Sequence, residues 1–119
     1  MGAATWVAIA LAAVYLPAGL IKLVVPKSRL ITNSQFGWAA GVSDQAIKAI
    51  GAAEILGALG VILPRLTGGA PVLGVLAAWG LAAVQVGAIV VHVRRREFAT
   101  LPINVVLLAL AVVLAAGVV

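Results

Sequence analysis

Four apolar stretches, separated by short runs where prolines, glycines and charged residues collect, make up most of the chain; they cover residues 5–25, 46–63, 72–93 and 101–119. Each has about the 20 residues that a helix rising ~1.5 Å per residue needs to cross the hydrocarbon of a bilayer. The prolines punctuate them. Pro26 closes the first stretch, Pro64 closes the second and Pro71 opens the third, while Pro102 falls in the first turn of the fourth, where its missing N–H costs little. Pro17 lies inside the first stretch and predicts a kink there. Ser43 is placed to cap the second, with Asp44 in the first turn against the positive end of the helix dipole. A transmembrane β-barrel needs two-residue alternation, which runs such as VLLALAVVLAA in the last stretch lack. The pattern therefore predicts an all-α fold, a bundle of four transmembrane helices forming one membrane domain over residues 1–119.

Composition strengthens this reading. Of 119 residues, 65% are apolar and 9% charged, and the mean hydropathy is +1.26. A water-soluble chain of this size could not bury so much apolar surface, so membrane lipid is the expected solvent. Cysteine is absent, which excludes a disulfide framework, a thiolate nucleophile, an iron–sulfur site and a Cys-based zinc site. The net charge of +5 does not indicate nucleic acid, because the basic residues are scattered among connections without interleaved aromatics. It reads as a topology signal. Lys27 and Arg29 lie in the first connection, with Lys22 and Lys48 at its edges; Arg94, Arg95 and Arg96 lie in the third, and only Arg65 in the second. The positive-inside rule then predicts a multi-pass protein of the cytoplasmic (inner) membrane with both termini outside. The first stretch has no basic lead and no cleavage site, so it reads as a retained span and not a signal peptide. Residues 26–42 are too many for a tight hairpin, and Phe36, Gly37, Trp38 and Gly41 suggest a segment at headgroup level or folded back as a lid.

Candidate chemistry rests on polar residues inside the apolar stretches. Glu54 lies near the middle of the second, where an ionised side chain costs about 2.5 to 3.5 kcal/mol on insertion scales, so it needs a partner or a proton. Lys22, His92 and Asn104 lie near the same membrane face in the first, third and fourth, with Gln85 two turns deeper than His92. Helical side chains lean toward their own N-terminus, so Lys22 leans into the membrane, Glu54 leans toward the loop side, and a contact between them is expected. Glu54 and His92 are the candidate acid and base, with Lys22 as a third catalytic candidate; Gln85, Asn104, Tyr15 and Trp38 are candidate ligand-binding residues. At helical spacing, Tyr15, Ala18, Gly19 and Lys22 share a stripe. So do Gly51, Glu54, Gly57, Ala58 and Val61, and so do Ala78, Ala82, Gln85, Ala88 and His92. Small residues beside polar heads suit close helix packing or a small cavity, and packing is the expected role of Gly51, Gly57, Gly60, Gly80 and Gly87. The remaining cations, Lys48 among them, are expected to reach up to headgroups. One histidine and no cysteine argue against a zinc or bis-His haem site. No phosphate loop, nucleophile elbow or HExxH occurs.

Several segments resemble the DoxX-like family of small bacterial membrane proteins. They are AGLIKL at 18–23, GW at 37–38, IGAAEILGALGVILP at 50–64, and AAWGLAAVQVGAIVVH with VRRRE at 77–97, followed by a short final span containing an asparagine. The resemblance implies a four-helix membrane fold, a link to membrane redox metabolism through quinone-linked and thiol or oxidative-stress relatives, and a polar set of Lys22, Glu54, His92 and Asn104. The lack of cysteine sets direct thiol exchange aside. The leading expectation is a hydrophobic redox-linked ligand, such as a quinone, held by Lys22, Glu54, Gln85, His92 and Asn104, with any further cofactor left open. The alternative is a non-catalytic subunit of a larger respiratory or transport complex, and a homo-oligomer is a further possibility. A transporter would require more machinery than four short spans without an inverted repeat.

Overall fold

A computed structural model describes residues 2–119 and contains helices with no strand among those residues. Four helices are long and apolar enough to cross a membrane: α1 (Ala3–Val24), α3 (Asp44–Thr67), α4 (Pro71–Arg94) and the segment Phe98–Ala116. The last comprises one turn of 3-10 helix (Phe98–Thr100) leading into α5 (Leu101–Ala116). Between α1 and α3 the chain forms a one-turn helix, α2 (Lys27–Leu30), and a kinked 3-10 segment, Ser34–Gly41. Neighbouring spans pack in sequence order, α1 on α3, α3 on α4 and α4 on α5, and the bundle closes through a lighter contact between α1 and α5. Its longest dimension, 41 Å, exceeds the ~30 Å of bilayer hydrocarbon.

Two ends result. The α3–α4 turn lies beside the start of α1 and the end of α5, the hairpin end. The Lys27–Gly41 segment and the α4–α5 connection lie at the other, the loop end. The main core is built from all four spans, with Leu11, Tyr15, Val61, Leu81 and Ala111 among its buried members. Many large apolar side chains, including Leu56, Leu66, Val72 and Leu76, are exposed on the outside, as a bundle in lipid requires.

Helix boundaries differ from the sequence expectation at two places. Pro64 does not end α3, which continues to Thr67 and stops at Gly68 with φ 74°. Only the bond from its own nitrogen is lost at Pro64. Its carbonyl still accepts from Gly68 N–H at 2.9 Å, and Thr67 Oγ1 bonds to Leu63 O at 2.9 Å, so the helix runs on until a glycine allows the left-handed exit. The fourth span likewise ends at Ala116 instead of reaching 119, because Gly117 turns left-handed at φ 72°. α1 is continuous helix through Pro17. Ser43 caps α3 as its sequence position indicates, accepting from Ala46 N–H at 3.1 Å.

Glycine permits the closest helix crossings. A Cβ on Gly19 would lie 2.6 Å from Gly51 O, and one on Gly51 would lie 2.8 Å from Gly19 O, so α1 and α3 meet backbone to backbone one turn from Lys22 and Glu54. Gly57 receives Leu81 and Gly60 receives Ala77. Gly80 and Gly87 do not pack as expected: a Cβ on either would meet nothing within 4 Å. They sit on the exposed face of α4, where helical spacing cannot distinguish a seam from an outward stripe.

Candidate functional site

The loop end holds the buried polar residues. Lys22, on the last turn of α1, and Glu54, in the middle of α3, are both buried, and Lys22 Nζ lies 2.7 Å from Glu54 Oε1. The approach has the distance of an ion pair without the direction of a well-formed hydrogen bond. Lys22 Nζ also lies 3.5 Å from Ala18 O and 5.8 Å from the centre of the Phe36 ring, within cation–π range. The glycine crossing explains why the pair can form. With no side chain on Gly19 or Gly51, the two helices come close enough for a lysine on one to reach a carboxylate on the other.

Beside this pair runs a chain of amides. Asn104 Nδ2 on α5 donates to Gln85 Oε1 on α4 at 2.6 Å, and Gln85 Nε2 donates to the Tyr15 hydroxyl on α1 at 2.6 Å. All three side chains are buried. Asn104 Oδ1 is buried without a hydrogen-bond partner, an uncommon state for a buried acceptor. The stripes expected from helical spacing fall largely inside: Tyr15, Gly19 and Lys22 on α1; Gly51, Glu54, Gly57, Ala58 and Val61 on α3; Ala78, Ala82 and Gln85 on α4.

His92 is not part of this interior group. Its Nδ1 lies 3.0 Å from Glu97 Oε1 in the α4–α5 connection, and Arg95 Nε donates to the same oxygen at 3.1 Å. The backbone turns back at Arg96, whose φ is 56°, and Glu97 N–H bonds to His92 O at 2.8 Å. His92 therefore pairs with the adjacent glutamate and not with Glu54. Desolvation pushes the Glu97 carboxyl up, but hydrogen bonds from His92 and Arg95, together with their charges, outweigh it and hold Glu97 below its ordinary value.

Trp38 belongs to a separate small core. Leu30, Ala39 and Ile47 are buried there, with Val25, Phe36, Trp38 and Val42 packed around them. The Phe36 and Trp38 rings lie 6.5 Å apart at 46°. This cluster folds the Lys27–Gly41 segment over the loop end as a cap that reaches Lys22 through Phe36. One lysine holds it, and a second ties α3 to α1. Lys27 Nζ donates to Val42 O at 2.6 Å, and Lys48 Nζ donates to Leu23 O at 3.1 Å. Lys48 therefore satisfies a carbonyl in the last turn of α1, where a cation also meets the negative end of the helix dipole. This replaces the expected reach to headgroups.

Sequence reasoning did not assign Glu97, Arg95 or Phe36 to the site; it takes Arg95 as a topology signal and Phe36 as part of the headgroup-level or lid segment. The available signal was the spacing of His92, Arg95 and Glu97 around a short connection; nothing in the sequence marks Phe36 as the ring above Lys22. Two surface cavities, of about 290 Å³ and 210 Å³, lie at the hairpin end, and neither is lined by a residue of the polar group.

This arrangement, an ion pair on the first two spans beside amides on the last two, spans the region matched by a family model described as the DoxX-like family, residues 6–114. The chain belongs to the DoxX-like family. The match takes in every buried polar residue from Tyr15 to Asn104 and both connections at the loop end. No curated protein and no solved structure matches the chain.

Proposed function

We propose that this DoxX-like membrane protein binds a hydrophobic, carbonyl-bearing redox ligand of the quinone type at the loop end, with Lys22 and Tyr15 as donors to its oxygen and Glu54 as the group that exchanges a proton with it. One observation carries the reading. Five polar side chains from all four spans are buried together, yet Asn104 Oδ1 has no partner. Polar groups at membrane depth are expensive, and those kept there mark functional paths more often than structure alone requires. An acceptor without a donor suits a ligand hydroxyl or a water that accompanies it. Entry beneath the Phe36–Trp38 cap is consistent with a segment held by one small core and one lysine contact.

Titration of the purified protein with a short-chain quinone, read by tryptophan fluorescence, tests this. Saturable quenching is expected, weakened by Tyr15→Phe and abolished by Glu54→Gln in protein that keeps its helicity and elution volume. Absence of saturable binding in the unaltered protein overturns the reading.

A second reading, an accessory subunit of a larger membrane complex, is favoured by the position of both cavities away from the polar group and by the small-residue face of α4 at Gly80 and Gly87, which meets nothing within the chain. It expects copurifying membrane proteins and no quinone response.

A further inference from the structure

The hairpin end carries a feature that the polar group does not explain. The 290 Å³ cavity sits among the start of α1, the α3–α4 turn and the end of α5, and is lined by Thr5, Pro64, Arg65, Gly69 and Gly74 with Leu114 at its side. The 210 Å³ groove next to it is almost wholly apolar, with Leu59, Leu63, Thr67 and Leu73 along it. Pro64 and Gly69 line both, so the two spaces adjoin at the turn. Arg65 is exposed and forms no ion pair among the described residues. A cation over a cleft that continues into an apolar channel on the membrane-facing side of a helix pair matches an amphiphile with a negative head and a long chain.

We infer that this cleft is a binding site for one anionic phospholipid, with its phosphate at Arg65 and Thr5 and an acyl chain in the Leu59–Leu73 groove. Charge complementarity and the continuity of a cavity that bears Arg65 and Thr5 with an apolar groove select a lipid over a free anion, for which the groove has no use. Helix packing leaves the groove open. Gly60 brings α3 against Ala77 of α4 lower down, and above that contact Gly68, Gly69 and Ala70 make the turn with no bulky side chain to fill the space.

Two substitutions separate the parts of the site. Arg65→Gln removes the charge at an exposed position. Gly69→Leu plugs the junction, and it is compatible with the backbone because the φ of Gly69 is not in the left-handed region and an added Cβ would meet only Thr67 Oγ1, at 3.9 Å. The purified full chain in detergent is titrated with phosphatidylglycerol and phosphatidylcholine of matched chains, read by native mass spectrometry, with inorganic phosphate as competitor. One phosphatidylglycerol is expected to bind about five-fold more tightly than phosphatidylcholine, the worth of one arginine facing an anionic headgroup. Arg65→Gln should erase that preference by weakening phosphatidylglycerol more than phosphatidylcholine, and Gly69→Leu should weaken both lipids. Equal binding of the two lipids by the unaltered chain, an undiminished preference in Arg65→Gln, or unchanged binding of both lipids in Gly69→Leu overturns the inference. So does displacement by millimolar phosphate, which marks a site for a bare anion.

Discussion

The two ends of the bundle solve opposite problems. At the loop end, polar side chains from every span are packed inward, paired, and roofed by a folded segment with its own apolar core. At the hairpin end the turn is made by small residues, the space between helices stays open, and the one charged side chain faces outward. Glycine serves both ends in different ways. Gly19 and Gly51 remove bulk so that backbones touch and a lysine meets a carboxylate, whereas Gly69 and Gly74 line a cavity that nothing within the chain fills. Small residues alone thus do not say whether a membrane helix pair is closed or hollow. What decides it is whether the facing helix fills the gap, with its backbone as at Gly19 and Gly51 or with a side chain as Leu81 does at Gly57.

The largest effect that would break this contrast is expected from separating the ion pair. Glu54→Gln leaves the Lys22 ammonium buried without its counter-charge, and breaking a buried pair from one side costs about 3 to 5 kcal/mol in measured cases. A loss of about 3 kcal/mol is expected in detergent unfolding, at the low end because Lys22 sits in the last turn of α1 and has a short route to the surface. The double variant Lys22→Met, Glu54→Leu should recover most of it, since an apolar replacement of both partners is often neutral. Next in size is Gly51→Leu. Its Cβ must push against the Gly19 carbonyl oxygen and Lys22 Cβ, and overpacking of this kind costs about 1 to 3 kcal/mol. At the hairpin end Gly69→Leu should leave the unfolding midpoint almost unmoved, and an equal loss there would erase the distinction between the closed end and the open one.

How much of this could be read beforehand follows from what each signal measures. The four spans, the Ser43 cap and the inward stripe of α3 were legible because they depend on length, local chemistry and helical periodicity, which are properties of single segments. The approach of Lys22 to Glu54 was legible because the lean of helical side chains brings their depths together. The partner of His92 was not, since it depends on the left-handed turn at Arg96 that folds Glu97 back. Pro64 misled because a proline near a helix end removes one bond and need not stop the helix where a glycine four residues later supplies the exit. Gly80 and Gly87 misled for a related reason: periodicity gives a face and not what lies against it.

A smaller effect is expected from the amide chain. Gln85→Leu removes the link between Tyr15 and Asn104 and leaves both polar groups in the interior. Interhelical hydrogen bonds in membranes are worth about 0.6 kcal/mol on average and at most about 1.7, so a loss of about 1 kcal/mol is expected in the same unfolding assay. Tyr15→Phe should cost less, because Gln85 keeps its bond to Asn104. If Gln85→Leu proves as damaging as Glu54→Gln, the two polar elements act as one network and the ion pair has no separate standing.

The smallest effect lies at the rim, where the α4–α5 connection is held by His92, Arg95 and Glu97. The Glu97 carboxyl is held below its ordinary value in the folded chain. Linkage therefore makes its contribution fully present above the ordinary glutamate range, and that contribution is lost as pH falls through the lowered folded value. Acidification should loosen the connection only below the pH at which a free glutamate is half protonated, while the buried Lys22–Glu54 region keeps its own response. Hydrogen exchange at the Glu97 amide, which bonds to His92 O, reads the first event, and unfolding midpoints across the same pH series read the second. His92→Gln keeps a donor but removes the imidazole charge, so it should move the Glu97 transition upward toward the ordinary value without shifting the midpoint of the bundle. A transition that stays in place shows that Arg95 alone holds the carboxylate, and His92 is then a bystander at the rim.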